Sequence, residues 1–265
     1  GGGSSCGYKL AGGEVQYFNE LQPKHVETYL KNFPDTPHHF CGDIKDVTGA
    51  GIMEMTGIRK GELDILDASP PCPPFSMAGS KKEGWNKTKT VYGKSQTNIE
   101  DLTWEVIRIA EEMMPKVIVC ENVKGLTMEY AADYLQRMIK DTEALGYTTV
   151  YKVLRGHDFG VPQKRERIFM VSVRDDVLKD VGLNFMNLCN VFPDPEEHEP
   201  TIRDAIEDLQ NDPKNKEEAE ELTELMRTSS KGKWIYGFDT HPDYPNSGPC
   251  KGLKGVDYNG KVLSI

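Results

Sequence analysis

Apolar positions along residues 15–173 follow two spacings, one typical of strands and one typical of helices. Strand-like patterns, alternating or continuously apolar, occupy 15–20, 63–69, 116–123, 147–154 and 167–173. Intervals of three and four predict amphipathic helices over 25–33, 100–114 and 129–144. Strands that alternate with helices favour an α/β fold with a mostly parallel sheet.

The pattern changes after residue 176. PDPEEHEP (193–200) is a polar link broken by prolines, TIRDAIEDLQ (201–210) predicts a short helix, and 231–265 is rich in glycine. We therefore predict a boundary near 178–195. It would separate a main domain, 1–178, from a smaller second region, 179–265.

Composition is that of a protein with a sizeable core, and charge is unevenly distributed. The chain has 265 residues, of which 37% are hydrophobic, and a net charge of −10. Residues 194–224 hold 13 acids and three bases, whereas KKEGWNKTKTVYGK (81–94) holds five lysines and one acid. The total charge is therefore only a weak argument against a nucleic-acid partner. We expect a cytosolic protein, because there is no apolar run of about 18–20 residues and no signal-type leader.

The six cysteines are far apart and form no CxxC pair, so the sequence predicts neither a zinc site nor a disulfide framework. One of them, Cys72, stands in DASPPCPPFS (67–76) between four prolines. A lone cysteine can be a buried structural thiol, a nucleophile or a regulatory thiol. Prolines fix the backbone and remove donors, so this loop is stiff. After a predicted strand of a parallel sheet, it would lie where such sheets bind ligands.

Three other segments allow both a functional and a structural interpretation. GGGSSCGYKLAGG (1–13) is either a flexible terminus or a glycine-rich cofactor loop, and Glu20 at a strand end suits ribose hydroxyls. Glu121 ends the apolar strand pattern KVIVC and is either a surface acid or part of an active-site rim. QKRER (163–167) is either a solvated turn or a site for an anionic ligand.

Together these segments resemble the DNA cytosine-5 methyltransferases. That family carries a proline–cysteine loop, a Glu-Asn-Val strand end and a Gln-x-Arg-x-Arg segment in this order, as do PPCPPFS, ENV (121–123) and QKRER here. The glycine-rich start, FNELQPKHVETYLKNFP and GDI (42–44) match the cofactor segments. The resemblance covers about residues 1–176. It implies a Rossmann-like class I S-adenosylmethionine-dependent methyltransferase fold and a target-recognition region.

The resemblance also implies a catalytic role for each matched residue. Cys72 would add to C6 of cytosine, so that C5 can accept the methyl group of S-adenosylmethionine. Glu121 would hydrogen-bond N3 and the exocyclic amine. Arg165 would contact the base oxygen and a phosphate, and Arg167, with Gln163 in the same segment, would brace the loop. The sequence names no base for the C5 proton, and ordered water is possible.

The cofactor residues follow from the same match. The methionine part would lie beside Gly1, Gly2 and Gly3, the ribose beside Glu20, and the adenine beside Asp43 and Ile44. Leu21, Pro71 and Leu102 would line the pocket. Leu21 stands where relatives often carry an aromatic residue, which predicts weaker stacking on the adenine.

Double-stranded DNA is the expected substrate, with the target cytosine flipped out of the helix. A loop over 76–99 would close on the base, with Ser76, Lys81, Lys82, Lys87 and Lys89 as the nucleic-acid contacts. The motifs suggest a bacterial or phage-encoded protein acting at the nucleoid. Two alternatives stay open: a transfer RNA cytosine-5 methyltransferase of the same fold, and a non-catalytic subunit that binds cofactor or DNA.

The chain departs from the family pattern in three respects. The strand that normally precedes the glycine motif is absent, and Pro73 replaces a frequent glutamine. No late Arg-x-x-x-Arg helix or Gly-Asn-Ser-Val-like segment follows. We therefore expect either a piece of a longer protein or an enzyme divided between two subunits, in which a second subunit supplies the missing motifs. Otherwise we expect a monomer.

Overall fold

The computed structural model of the chain describes residues 2–71 and 101–197, together with the backbone of four short strands over 89–91, 94–96, 256–258 and 261–263. The helix predicted over 201–210 lies outside the described residues. The elements of the first part are α1 (Gly3–Leu10), β1 (Tyr17–Glu20), α2 (Pro23–Asn32), β2 (His38–Cys41), α3 (Gly49–Thr56) and β3 (Ile65–Ala68). The predictions of strands over 15–20 and 63–69 and of a helix over 25–33 are confirmed.

The second part contains the longer elements. They are β4 (Lys89–Val91), β5 (Lys94–Gln96), α4 (Asp101–Met113), β6 (Val117–Val123), α5 (Ala132–Glu143), β7 (Tyr147–Arg155), β8 (Glu166–Arg174), α6 (Asp175–Asp180), α7 (Phe185–Leu188), β9 (Val256–Tyr258) and β10 (Lys261–Leu263). The predicted helix over 129–144 begins three residues late, because a short 3₁₀ turn, Glu129–Ala131, precedes α5. The other predicted elements between 100 and 173 are confirmed.

Four strands form the main sheet, in the order β3-β6-β8-β7. β3 and β6 pair in parallel, with Ala68 opposite Cys120. β8 is antiparallel to both of its neighbours, because the end of β8 bonds to residues just before the starts of β6 and β7. The N–H of Arg174 donates to the carbonyl of Lys116, and the N–H of Asp175 donates to the carbonyl of Gly146. β1 and β2 form a separate parallel pair. The strands of the main sheet and of the β1–β2 pair are thus mostly parallel, as predicted, apart from β8, whereas the short pairs β4–β5 and β9–β10 are antiparallel.

The core lies on the sheet face covered by α4 and α5. Alternate residues of β6 and β8, among them Cys120 and Ile168, pack against Leu135 and Met138 of α5. Ile118 of β6 packs against Ala110 of α4 in the same way. Each fully buried Leu, Ile or Met side chain contributes about 1.5–3 kcal/mol to folding. Leu135 and Met138 follow the 3–4 spacing that predicted the helix, and the core therefore holds the carboxyl ends of β3 and β6 in place.

The chain divides into two units, Gly1–Val153 with Ile168–Phe192, and Leu154–Arg167 with Pro193–Ile265. The last break falls inside the predicted boundary of 178–195, but residues 154–167 group with the second unit, which the sequence did not indicate. The assignment of 179–265 as a linker and recognition region stays a prediction. In the part of the chain that the structure describes, no helix is long and apolar enough to cross a membrane.

Candidate functional site

The carboxyl ends of β3 and β6 lie side by side and lead to the two predicted catalytic residues. In the parallel register, Asp67 is opposite Val119 and Ala68 opposite Cys120. Two positions further on, the side-chain amide of Asn122 donates to the carbonyl oxygen of Pro70 at 3.4 Å. Cys72 itself lies outside the described residues, but it follows the exposed Pro71 directly in the sequence.

Glu121 is one of the residues of β6 that face the less buried side of the sheet. The strand alternates between half-buried and buried positions, and Glu121 is half-buried whereas Cys120 and Asn122 are buried. Because successive side chains of a strand point to opposite faces, Asp67 lies on the same face as Glu121, one strand over. This face therefore carries two carboxyl groups, Glu121 near the end of β6 and Asp67 in β3, the strand that leads to Cys72.

The start of α1 has the geometry of an open polar site. Gly2 has φ of 95°, a left-handed conformation that favours glycine, and no side chain caps the helix. A Cβ added at Gly3 would meet no atom within 4 Å. Uncapped N–H groups at a helix start attract carboxylates. Gly2 and Gly3 thus fit the methionine part of the predicted cofactor, and Gly1 lies outside the described residues.

The predicted ribose and adenine residues come together at the ends of β1 and β2. The side-chain amide of Asn19 donates to the carbonyls of Phe40 and Gly42 at 3.1 and 3.0 Å. The N–H of Gly42 donates to the carbonyl of Glu20 at 3.0 Å. Asp43, directly after this junction, uses its carboxylate to cap the following 3₁₀ turn, accepting from the N–H of Lys45 at 3.0 Å.

Glu20 has local partners in addition to its predicted role. One carboxylate oxygen accepts from the N–H of Gln22 at 2.9 Å, and the other lies 3.5 Å from Nδ1 of His25. About a third of its side chain is exposed, so a ligand can still reach it. Leu21 and Ile44 are half-buried, as expected of residues that line a pocket.

Helix α4 holds the adenine turn through ionic and backbone contacts that the sequence analysis did not identify. Arg108 pairs with Glu105 and Glu112 at 2.7 and 2.9 Å. It also donates to the carbonyls of Ile44 and Val47 at 3.3 and 2.7 Å. Leu102, from the predicted pocket, is half-buried at the start of the same helix.

Glu112 completes this contact by holding the start of α3. Its carboxylate accepts from the N–H groups of Gly49 and Ala50 at 2.6 and 3.3 Å. Desolvation alone would raise the pKa of Glu112, but hydrogen bonds from Arg108, Ala50 and Gly49 hold it below its ordinary value. A Cβ on Gly49 would lie 2.6 Å from Cβ of Glu112. The close approach therefore requires glycine at this position.

A second set of contacts connects α1 with β3. The hydroxyl of Tyr8 donates to Asp67 at 3.2 Å. Desolvation raises the pKa of the Asp67 carboxyl group, although hydrogen bonds from Ser4 and Tyr8 act in the opposite direction. The pKa of Tyr8 is raised too, by burial and by the nearby charge of Asp67. The first helix is thereby attached to the strand that leads to Cys72.

The Gln-x-Arg-x-Arg segment belongs to the second unit, where it forms a hydrogen-bonded loop. The N–H of Gly156 donates to the carbonyl of Arg165 at 2.7 Å, and the N–H of Arg165 donates to the carbonyl of Gln163 at 2.8 Å. Arg165 is exposed, whereas Gln163 and Arg167 are half-buried. The guanidinium of Arg167 donates to the carbonyl of Glu166 at 2.8 Å, and its role in bracing the loop stays a prediction.

The predicted nucleic-acid contacts fall almost entirely outside the described residues. The structure does not describe Ser76, Lys81, Lys82 or Lys87. Of Lys89 it describes only the backbone, in β4. The sequence analysis assigned no role to Asn122, Arg108, Glu112 or Asp67. The i, i+3 and i, i+4 spacing of Glu105, Arg108 and Glu112 predicts ion pairs along a helix. It does not show that the helix would also contact a turn sixty residues earlier.

Residues 1–245 match the family model described as "C-5 cytosine-specific DNA methylase". Type II methyltransferase M.XorII of Xanthomonas oryzae is 30% identical over 210 residues, which cover 78% of this chain and 44% of that protein. Type II methyltransferase M.FnuDI of Fusobacterium nucleatum is 32% identical, covering 79% of this chain and 53% of that protein. M.AquIA of Picosynechococcus is also 32% identical, covering 73% of this chain and 72% of that protein.

The chain therefore spans about half the length of M.XorII and M.FnuDI. Among solved structures, it is similar to one described as a DNA modification methyltransferase encoded within a prophage of E. coli. The TM-score is 0.58 at 22% identity, and the match covers 76% of this chain and 50% of that one. This likeness shows the fold.

Proposed function

Because the chain belongs to the C-5 cytosine-specific DNA methylase family, we propose that it methylates C5 of a cytosine flipped out of double-stranded DNA. The proposal rests on the contact between the carboxyl ends of β3 and β6. Parallel pairing and the contact of Asn122 with Pro70 hold the segment that leads to Cys72 beside the strand end with Glu121. A nucleophile and an acid on neighbouring strand ends suit attack on one base.

S-adenosylmethionine is the proposed cofactor. The open start of α1 with Gly2 and Gly3 fits its methionine part, Glu20 the ribose, and Asp43 with Ile44 the adenine. When bound, the cofactor supplies an electrophilic methyl group on a sulfonium. Arg108 and Glu112 would act indirectly, because they hold the adenine turn rather than touch the ligand.

The chemistry assigned to the protein is covalent catalysis. The thiolate of Cys72 adds to C6 of cytosine, and this bond makes C5 nucleophilic. Glu121 hydrogen-bonds N3 and the exocyclic amine, which offsets the charge that develops on the ring. After methylation, the C5 proton leaves and the C6–S bond breaks, so that the thiolate is regenerated.

DNA binding is assigned to basic residues in two places. The lysines between 81 and 94 and the exposed Arg165 suit phosphate oxygens. A second subunit, or a further part of a longer chain, would supply the portion of M.XorII and M.FnuDI that this chain does not span. We place the reaction in the cytoplasm of a bacterial or phage-infected cell, at its DNA.

A trapping experiment tests the proposed function. The chain and its Cys72→Ala variant are incubated with tritiated S-adenosylmethionine and duplex DNA containing 5-fluorocytosine, with fluorocytosine-substituted transfer RNA in parallel. Fluorine at C5 cannot leave as a proton does, so an active enzyme stays bound to the labelled DNA. Labelled complexes should form on DNA and be absent with Cys72→Ala.

The other outcomes assign the failure. Label on transfer RNA alone would move the substrate to RNA. If the chain binds the cofactor but forms no trapped complex, even after the remaining part of a relative is added, the chain is a non-catalytic subunit. Exchange of Cys189, an exposed cysteine in the first unit, for alanine is the matched control and should change nothing.

A further inference from the structure

Asp67 has a position and surroundings that the proposed mechanism does not use. It lies in β3, five residues before Cys72, on the sheet face that also carries Glu121. Its carboxylate accepts from the hydroxyl of Tyr8, at the far end of α1, and from that of Ser4 in the first turn. The acid therefore stands beside the helix whose start fits the methionine part of the cofactor.

No cation balances this carboxylate among the residues that the structure describes. Both identified contacts come from neutral hydroxyl groups, and burial raises the pKa of the acid rather than a base lowering it. By contrast, the nearby Asp64 pairs with Lys116 at 2.6 Å. The Asp67 side chain is nevertheless exposed, so a cationic ligand can reach its carboxylate and pair with the charge that the two hydroxyl groups leave unbalanced.

We propose that Asp67 is a cofactor-binding residue whose carboxylate holds the α-ammonium group of S-adenosylmethionine, with Tyr8 and Ser4 orienting it. The inference rests on the proposed function and adds a residue to it. An amino acid carries an ammonium and a carboxylate on one carbon. The open N–H groups of α1 complement the carboxylate, and Asp67, bonded to the same helix, complements the ammonium.

Three nucleosides separate this role from a structural one. S-adenosylmethionine and S-adenosylhomocysteine both carry the α-ammonium, and only the first carries a sulfonium. 5′-Methylthioadenosine lacks the whole amino-acid part. Binding of each to the chain and to Asp67→Asn is measured by isothermal titration calorimetry, and folding of the variant is checked by thermal denaturation.

Loss of one hydrogen-bonded charge pair predicts dissociation constants about 10- to 100-fold higher for S-adenosylmethionine and S-adenosylhomocysteine. Binding of 5′-methylthioadenosine should change by less than about twofold. Tyr8→Phe should show the same selectivity with a smaller effect, because one of the two orienting hydroxyls remains. Asp64→Asn, on the approach to the same strand, is the matched control and should bind all three as the parent does.

The remaining outcomes overturn the inference. Equal loss for all three ligands would mean that Asp67 only maintains the fold, and loss for S-adenosylmethionine alone would assign it to the sulfonium. If Asp67→Asn binds all three ligands as tightly as the parent does, Asp67 is not a cofactor-binding residue, and the proposed function is unaffected. If the parent binds none of the three, the proposed cofactor is wrong, and the inference fails with it.

Discussion

The side-chain amide of Asn122, near the end of β6, bonds to Pro70, just after the end of β3. The nitrogen donates to the carbonyl of Pro70 at 3.4 Å, and the oxygen accepts from the N–H of Val123 at 2.8 Å. The residue is only 3% exposed, so neither partner can readily be replaced by water. This geometry explains why an amide follows Glu121, since a carboxylate could accept but could not donate.

Asn122→Asp should keep the bond from Val123 and lose the donor to Pro70. We expect a loss of about 1–3 kcal/mol in the free energy of unfolding, as for a buried group left unsatisfied. Methyl transfer should fall while cofactor binding is retained, because the loop before Cys72 loses its support. Urea denaturation and single-turnover assays measure the two effects. Asn32→Asp, where an exposed amide donates to Thr28, should be nearly neutral.

Glu121→Gln should reduce methyl transfer without weakening cofactor binding. Glu121 offsets the charge that develops on the cytosine ring, and this is needed only while the thiolate adds. We therefore expect the single-turnover rate to fall about 10²–10⁴-fold. Glu129→Gln, an exposed acid in the turn before α5, is the control. A rate within about twofold of the parent's would contradict the catalytic assignment of Glu121.

Arg108→Lys tests the connection between α4 and the adenine turn. A lysine keeps the charge but cannot reach two acids and two carbonyls at once, since the guanidinium fork is lost. We expect the dissociation constant of S-adenosylhomocysteine to rise about 3- to 10-fold, with unfolding easier by about 1–3 kcal/mol. Arg59→Lys changes an arginine whose ion pair with Glu62 is exposed and should change neither value. If Arg108→Lys binds S-adenosylhomocysteine as tightly as the parent does, the adenine turn keeps its conformation without Arg108.

Gly2→Ala and Gly12→Ala separate backbone strain from steric conflict at the start of the chain. Both glycines have positive φ, 95° and 86°, so each alanine costs about 1–2 kcal/mol. A Cβ at Gly2 would also overlap the ring of Phe33, whereas at Gly12 it meets no atom within 4 Å. Thermal denaturation should therefore show the larger loss for Gly2→Ala. Equal losses would mean that Phe33 moves aside at no cost.

Asp67→Asn should stabilise the protein without ligand at neutral pH. The folded pKa of Asp67 is raised above 3.8, its ordinary value, so the folded state holds the proton more tightly than the unfolded state. The ionised group therefore destabilises the fold above the folded pKa, and this penalty disappears as pH falls below 3.8. Urea denaturation of parent and variant between pH 3 and pH 7 measures the difference, which should grow with pH. A constant difference would mean that the raised pKa is absent.

The periodicity of the chain determined the elements and the motifs determined the family. Alternation in β1, the continuous apolar run of β6 and the 3–4 spacing of α4 and α5 are local properties, because each residue's neighbours in sequence decide which face it occupies. ENV and PPCPPFS could be assigned to strand ends for the same reason. The antiparallel direction of β8 was not predicted, since strand direction depends on pairing between distant segments.

The supporting residues of the site were decided only by tertiary structure. Arg108 contacts carbonyls about sixty positions away, Asn122 reaches Pro70, and Tyr8 reaches Asp67 across fifty-nine positions. Each side chain is polar and would be ordinary on a solvated surface, so nothing in its own segment marks it. Packing of the helices on the sheet brings these groups within hydrogen-bond distance, and for the buried Asn122 the loss of water then makes the contact necessary. The sequence alone therefore identified the residues proposed to perform the chemistry, and the fold identified those that hold them in position.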